Sequence, residues 1–264
     1  MILRRLGSKK KLMPKLTPHF PQFEIWIEPF FGSGSAFFYL PNKPKYAIVN
    51  DLDSDVFNLF QVVMNQKEEF EKAFYMMPIH SDLLKYWNEN KETDPIKKAL
   101  RFIFLSNFTY LGAGNELKHG VSAGNKPIGN KLFVLEKIKK TFDLLFGVDI
   151  KNWDFRKFLT KLGFINDGRN DQAKTFIYAD PPYLYTTSYE NIWVEKDSID
   201  LFNCLQETGC KWAMSEFDNS FILEQAKQRN LIVNIIGERQ NLKNRRTEIL
   251  ITNYKNQPTL FDNI

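Results

Sequence analysis

The sequence predicts an α/β fold: an open, mostly parallel sheet with an antiparallel closing hairpin and a helical insertion. Three observations carry this. The apolar run Phe176-Ile177-Tyr178-Ala179 stops at Asp180-Pro181-Pro182-Tyr183, as a buried strand does when two prolines follow it. Glu24–Glu28 alternates as a short strand and runs through Pro29-Phe30-Phe31-Gly32-Ser33-Gly34-Ser35 into the apolar Ala36–Leu40, the strand–turn–helix order of a βα unit. Residues 66–110 read as helix throughout. A length of 264 residues suits one α/β domain with a smaller one inserted. The division expected is 1–60 with 146–264 as the main domain and 61–145 as the insertion.

Composition narrows the function classes. Hydrophobic residues make up 43% of the chain, and its 24 Phe residues fall largely in periodic runs, which assigns most of them to a core. The net charge of +5 is uneven. Arg4, Arg5, Lys9, Lys10, Lys11 and Lys15 open the chain without an acid. Lys118, Lys126, Lys131, Lys137, Lys139 and Lys140 form a second cluster, and Arg239, Lys243, Arg245 and Arg246 a third. Three separated clusters suit a polyanion partner, and solvated helix faces account for the same charges equally well. Cys204 and Cys210 do not make a disulfide framework, and no Cys/His set has metal spacing. No stretch approaches the roughly 18 apolar residues of a membrane span. The basic start lacks the apolar run of a signal peptide, so a cytoplasmic protein is expected.

Taken in order, Ser8 is placed to cap a helix reaching His19 and stopped by Pro21. The glycines of the next turn let backbone approach a ligand closely and expose helix-start N–H groups, although the third glycine of GxGxxG is missing. A plain tight turn reads nearly as well. Lys45–Asn50 is a second strand with Asp51 at its end. Asp51 lies 51 − 32 = 19 residues beyond Gly32, where an acid can accept from ribose hydroxyls. The competing reading is an Asx turn, with Asp53 or Ser54 capping a helix over Val56–Asn65. Leu111 through Asn130 is Gly/Asn-rich and too long for a simple connector, which with Lys118, Lys126 and Lys131 suggests a nucleic-acid contact loop. Lys131–Phe146 returns to helix and Val148–Asn152 to strand. Asp154 begins a helix to Leu162, by default as its N-cap. After the proline turn come a loop to Glu195, helix Ser198–Glu207, strand Lys211–Ser215 and helix Asn219–Arg229. Strands Leu231–Gly237 and Glu248–Asn253 form a hairpin with a basic loop, Glu238–Thr247.

The ordered set resembles the Dam-type DNA adenine N6-methyltransferase family. Pro29-Phe30-Phe31-Gly32-Ser33-Gly34 is similar to its FxGxG motif, and Asn50-Asp51-Leu52-Asp53-Ser54-Asp55 to its A-D-I-N-x-D segment. Asp180-Pro181-Pro182-Tyr183 matches DPPY, and Glu248-Ile249-Leu250-Ile251-Thr252-Asn253 resembles E-L-L-I-T-N. The resemblance spans nearly the whole chain. It departs at Arg5-Leu6-Gly7-Ser8-Lys9, where the family often has Trp-Ala-Gly-Gly-Lys, and in the loop 111–130.

That resemblance implies a Rossmann-like S-adenosylmethionine-dependent methyltransferase sheet with an inserted helical target-recognition domain. It implies S-adenosylmethionine as the methyl donor, held by Gly7, Lys9, Phe30, Gly32, Gly34, Asp51, Asp154 and Phe155 and bordered by Asp180. It makes Asp180, Pro181, Pro182 and Tyr183 catalytic, and no metal is required. The chemistry suits the residues: the Asp180 carboxylate and Pro181 carbonyl accept from the two N–H groups of an adenine amine, and Tyr183 stacks on the base. An adenine in a duplex must be flipped out to reach them. Arg4, Lys118, Asn125, Lys126, Asn130, Lys243, Arg245 and Arg246 are the candidate contacts to double-stranded DNA, with GATC the leading target. RNA adenine methylation and a catalytically silent DNA-binding relative are the alternatives. Gln257-Pro258-Thr259-Leu260-Phe261 resembles the peptide by which bacterial proteins dock on the sliding clamp. A cognate restriction endonuclease is a further candidate partner.

Overall fold

Burial decides which runs become strands. Thr175–Ala179 is buried at all positions, and in the computed structural model it lies at the middle of a seven-stranded sheet. The structure describes residues 2–3, 9–109, 117, 127–166, 169–188, 191–240 and 245–255. The strands are β1 (Ile25–Glu28), β2 (Tyr46–Asn50), β3 (Asp149–Lys151), β4 (Thr175–Ala179), β5 (Lys211–Phe217), β6 (Ile232–Gln240) and β7 (Arg245–Thr252), in spatial order β6-β7-β5-β4-β1-β2-β3. The pairs β1–β2, β1–β4 and β4–β5 are parallel, whereas β7 runs antiparallel to β5 and β6. The expected sheet, mostly parallel with an antiparallel closing hairpin, is therefore the one formed.

The strand order reverses between β1 and β4. From β1 the chain moves outward to β2, then returns to lay β4 along the other edge of β1. In an open α/β sheet such a reversal opens a crevice beyond the carboxyl ends of the strands. Those ends carry Glu28-Pro29-Phe30 on β1 and Asp180-Pro181-Pro182-Tyr183 on β4.

Packing divides the chain into two units. One comprises Lys11–Phe31, Leu40–Leu52 and Trp153–Ile264; the other comprises Met1–Lys10, Gly32–Tyr39 and Asp53–Asn152. In the first, alternate residues of β4 serve opposite faces, as strand geometry requires. Ile177 and Ala179 join Trp212, Met214, Leu201, Phe202, Leu205 and Ile222 in one apolar cluster. Phe176 and Tyr178 face an aromatic group of Phe20, Phe23 and Trp26, with ring centroids 5.0–5.9 Å apart. β4 is thus covered on both faces, which is why its sequence is apolar without alternation. β1 is likewise buried at three of its four positions, rather than alternating.

In the second unit α2 (Ser54–Asn65), α3 (Lys67–Met76), α4 (Ser81–Glu89), α5 (Pro95–Phe108) and α6 (Pro127–Leu145) bury Phe60, Phe70, Phe74, Phe104 and Val134. The stretch read as continuous helix is three helices. Pro78 disfavours helix for the residue before it and ends α3, and Asp94 with Pro95 starts α5 afresh. Lys131 donates to the Tyr75 carbonyl at 2.6 Å and to the Met77 carbonyl, so this lysine is engaged with the C-terminal end of α3. Burial draws its pKa down.

Other elements differ from expectation for local reasons. The N-terminal helix is broken into a 3-10 turn at Lys9–Lys11, α1 (Met13–Leu16) and a second 3-10 turn at Thr17–His19. Ala36–Leu40 yields only a 3-10 turn at Phe37–Tyr39, because five residues before Pro41 are too few to nucleate an α-helix. The remaining helices are α7 (Phe155–Thr160), α8 (Glu195–Glu207) and α9 (Ser220–Gln228). α8 starts one turn earlier than expected, since the Val194 N–H donates to Asp197 Oδ2 at 3.0 Å. β6 and β7 continue pairing as far as Gln240 and Arg245, so much of the expected basic loop is strand.

Candidate active site

The proline turn is held by groups far away in sequence. Asp180 is partly exposed, Pro181 is buried and Tyr183 is 8% exposed. The Tyr183 ring meets Phe217 edge-on, with centroids 4.3 Å apart and planes at 81°. Its hydroxyl donates to Glu248 Oε1 on β7. The next N–H, of Leu184, donates to Glu216 Oε1 on β5 at 2.8 Å, while Glu216 Oε2 accepts from the Phe217 N–H at 2.6 Å. Beyond the turn, Thr186 donates from its N–H (2.8 Å) and its hydroxyl (2.5 Å) to the Tyr183 carbonyl. Tyr185 takes φ +60, a left-handed conformation that is strained for a bulky side chain. Arg246 lies over the Phe217 ring at 5.3 Å.

Acidic groups gather at this end of the sheet. Glu28, Glu216 and Glu248 are buried at the ends of β1, β5 and the start of the apolar part of β7. Trp26 Nε1 donates to Glu28 Oε2 at 3.0 Å. The Tyr178 hydroxyl lies 2.8 Å from Ser215 Oγ. Burial first, and the Asp180 carboxylate next, raise the Tyr178 pKa well above that of an ordinary phenol, with Glu248 and Glu28 acting in the same sense. Tyr178 is therefore neutral.

Asn50 ties together three segments. Its Nδ2 donates to the carbonyls of Pro29 (3.0 Å) and Trp153 (2.9 Å), and its Oδ1 accepts from the Trp153 N–H at 2.9 Å. The Phe31 N–H donates to the Asn50 carbonyl at 2.8 Å. The ends of β1 and β2 and the start of α7 are thereby fixed to one another. Asp51 follows at 5% exposure. The capping question is settled in favour of Asp53, whose Oδ1 accepts from the Asp55 N–H at 2.8 Å. Asp53→Ala should therefore cost about 1 kcal/mol of stability and leave cofactor affinity unchanged, whereas Asp51→Ala should weaken affinity about tenfold or more. Thermal denaturation and calorimetric titration of both variants check this.

Phe30, Phe155 and Trp193 form an aromatic group with centroids 5.4–5.7 Å apart. Trp193 was not foreseen; it comes from the loop after the proline turn, where the Tyr185 N–H donates to its carbonyl at 3.0 Å. Asp154 does cap α7, accepting from the Arg156 N–H at 2.9 Å, and its other oxygen faces Arg156 Nη1 at 3.3 Å. Arg156 also binds Asp197 (2.6 Å) and Asp200 (2.8 Å) on α8. Burial opposes its charge, but the two hydrogen bonds together with the charges of Asp154 and Asp200 outweigh it and raise its pKa.

In the other unit, Gly32 (φ +52) and Gly34 (φ +70) both hold left-handed conformations that need glycine. The Lys9 N–H donates to Ser35 Oγ at 3.2 Å, which brings Lys9 to the glycine turn as the spacing alone did not reveal.

A carboxylate beside a proline carbonyl, at the end of a parallel strand where the strand order reverses, can accept hydrogen bonds from both N–H groups of one amine. The model of the D12 class N6 adenine-specific DNA methyltransferases matches residues 6–249. The chain belongs to that family. It is 27% identical to the Type II methyltransferase M.MjaIII of Methanocaldococcus jannaschii, over 96% of this chain and 98% of that one. It is 26% identical to the modification methylase StsI of Streptococcus sanguinis, over 96% of this chain and 42% of that one, so it spans less than half of StsI. The DNA adenine methylase of Serratia marcescens is 28% identical over 72% of this chain and 68% of its own.

As a D12 methyltransferase the chain uses S-adenosylmethionine. The residues present suit that group: a buried acid ends β2, and aromatic rings stand beside the ends of β1 and α7. Of the other residues singled out, Arg4, Gly7, Lys118, Asn125, Lys126, Lys243 and Gln257–Phe261 lie outside the described residues. Asn130 lies in α6 and Arg245 in β7, and Arg246 is exposed.

Proposed function

We propose that this D12 methyltransferase transfers a methyl group to N6 of an adenine turned out of duplex DNA, with GATC the leading target. The observation that carries the reading is Asp180-Pro181 at the carboxyl end of β4, beside the reversal of strand order. S-adenosylmethionine supplies a methyl already activated by a positively charged sulfur. The chain's own residues then have positioning to do. The Asp180 carboxylate and Pro181 carbonyl accept from the two N–H groups of the amine, which exposes its lone pair in line with the methyl. The Asp180 carboxylate favours the positive charge that nitrogen gains, and it takes up a proton only after that charge has formed. The Tyr183 ring stacks on the base and offsets part of the unstacking cost of about a few kcal/mol.

Lys9, Phe30, Gly32, Gly34, Asp51, Asp154 and Phe155, with Gly7, are the cofactor residues in this reading. The helical segment 61–145 selects the target, and the basic residues Arg4, Lys118, Lys126, Lys243, Arg245 and Arg246, with Asn125 and Asn130, contact DNA. We further propose a cytoplasmic location, a cognate restriction endonuclease as a candidate partner and the tail Gln257–Phe261 as a candidate sliding-clamp peptide. The test uses purified protein and labelled S-adenosylmethionine with duplex DNA in one reaction and RNA of the same sequence in another. Label is expected in DNA as N6-methyladenine, and sequencing the product reads the target. Label in RNA alone would overturn the choice of substrate, and no label in either would overturn the activity.

A further inference from the structure

Two buried carboxylates grip consecutive residues of the catalytic turn. Glu248 takes the Tyr183 hydroxyl and Glu216 takes the Leu184 N–H. They stand on neighbouring antiparallel strands, Glu248 opposite Phe217 and Glu216 opposite Ile249, and each is at most 1% exposed. Phe217, next to Glu216 on β5 and opposite Glu248 on β7, presses edge-on against the Tyr183 ring and carries the Arg246 guanidinium over its own face. A buried carboxylate is costly unless donors compensate it, and an apolar pair of similar size commonly stabilises a strand pair better. Two such acids aimed at adjacent residues of one turn indicate that geometry is what they supply. The bond to Glu248 fixes where the phenol oxygen sits, and the edge-on Phe217 ring sets the plane about that axis.

We propose that Glu248 and Glu216 are positioning residues that set the catalytic turn, so that the Tyr183 hydroxyl is held by the protein and only the ring meets the target base. This rests on the methyltransferase reading of the turn. It assigns Glu248 no contact with substrate: it acts through Tyr183. Charge and orientation then have separate sources, Asp180 supplying the first and the bracket of Glu216, Phe217 and Glu248 the second.

The test compares wild type with Glu248→Ala, Glu248→Gln, Tyr183→Phe and the double variant Tyr183→Phe/Glu248→Ala, in single-turnover methylation of plasmid DNA with labelled cofactor. Loss of a hydrogen bond to a charged group predicts that Glu248→Ala slows the step about 10- to 100-fold, with S-adenosylmethionine affinity kept within about twofold. Glu248→Gln keeps an oxygen for the phenol and is expected to recover most of that loss. Tyr183→Phe should slow the wild-type background but add nothing to Glu248→Ala, because the two groups act as one. Equal losses from Tyr183→Phe in both backgrounds would show the hydroxyl acting independently of Glu248 and overturn the proposal. So would a Glu248→Ala rate within about twofold of wild type. Where Glu248→Ala does not fold, Tyr183→Phe alone decides: its Tm must fall, since a buried carboxylate loses a donor, and an unchanged Tm overturns the bond. If wild type transfers no methyl to DNA, the functional reading itself fails; if it does and the variants match it, only the positioning role fails.

Discussion

Asp180→Ala is expected to lower the single-turnover rate of methyl transfer by about 10²–10³-fold, the effect of removing one oriented acceptor from a water-poor site. The residue stands where β4 ends, partly exposed, with Pro181 buried beside it. Cofactor affinity should change by no more than about tenfold, because an acceptor aimed at the amine matters most as charge develops there. Asp180→Asn should fall between the two: its oxygen still accepts, but its amide presents donors to an amine that also donates. The substitution also removes one of the charges that raise the Tyr178 pKa, while burial, the larger cause, remains. Tyr178 therefore stays protonated in the variant, and a loss of rate is not explained by its ionisation. Rapid-quench measurement with labelled cofactor reads the rate directly; transfer within about tenfold of wild type would exclude Asp180 from the step.

The second large effect is expected at Asn50. Asn50→Ala strands two carbonyls and the Trp153 N–H, all formerly bonded to one side chain that is 1% exposed. Losing these bonds should cost about 3–5 kcal/mol, at the upper end of single substitutions. At this chain length the Tm should fall by about 10 °C. Cofactor affinity should fall with it, about 10-fold or more, since Phe30, Asp51 and Asp154-Phe155 all sit within two residues of the three tied points. Asn50→Asp keeps the acceptor for the Trp153 N–H but turns a buried acceptor oxygen toward two carbonyls, so it should cost at least as much as alanine. Thermal denaturation and calorimetric titration of S-adenosylmethionine separate the two consequences. A full-affinity Asn50→Ala protein would show that the segments hold their places without the tie.

The proline turn and the glycine turn were legible because their information is local. Two prolines define their own backbone, and glycines at φ +52 and +70 are needed wherever that turn occurs. The central strand was legible for a related reason: a strand covered on both faces has to be apolar at every position, and Thr175–Ala179 is buried throughout. Charge was harder to read. Lys131 belonged to a basic cluster in sequence, yet it bonds the carbonyls that end α3, and no count of lysines distinguishes a phosphate contact from a helix cap.

By itself, then, the sequence determined the α/β class, the order of its motifs and the position of Asp180 at a strand end. Periodicity, turn chemistry and the spacing of glycines from acids are properties of neighbouring residues. Only the tertiary structure decided what holds those motifs in place. Asn50 reaches a segment 103 residues away, and Glu248 reaches a tyrosine 65 residues away. A hydrogen bond between distant residues leaves no period and no local composition; it exists because the sheet brings the carboxyl ends of its parallel strands, and the facing part of the antiparallel β7, to one edge. The turn Asp180-Pro181-Pro182-Tyr183 is written in four adjacent letters, and the carboxylates that aim it come from two strands the chain builds afterwards.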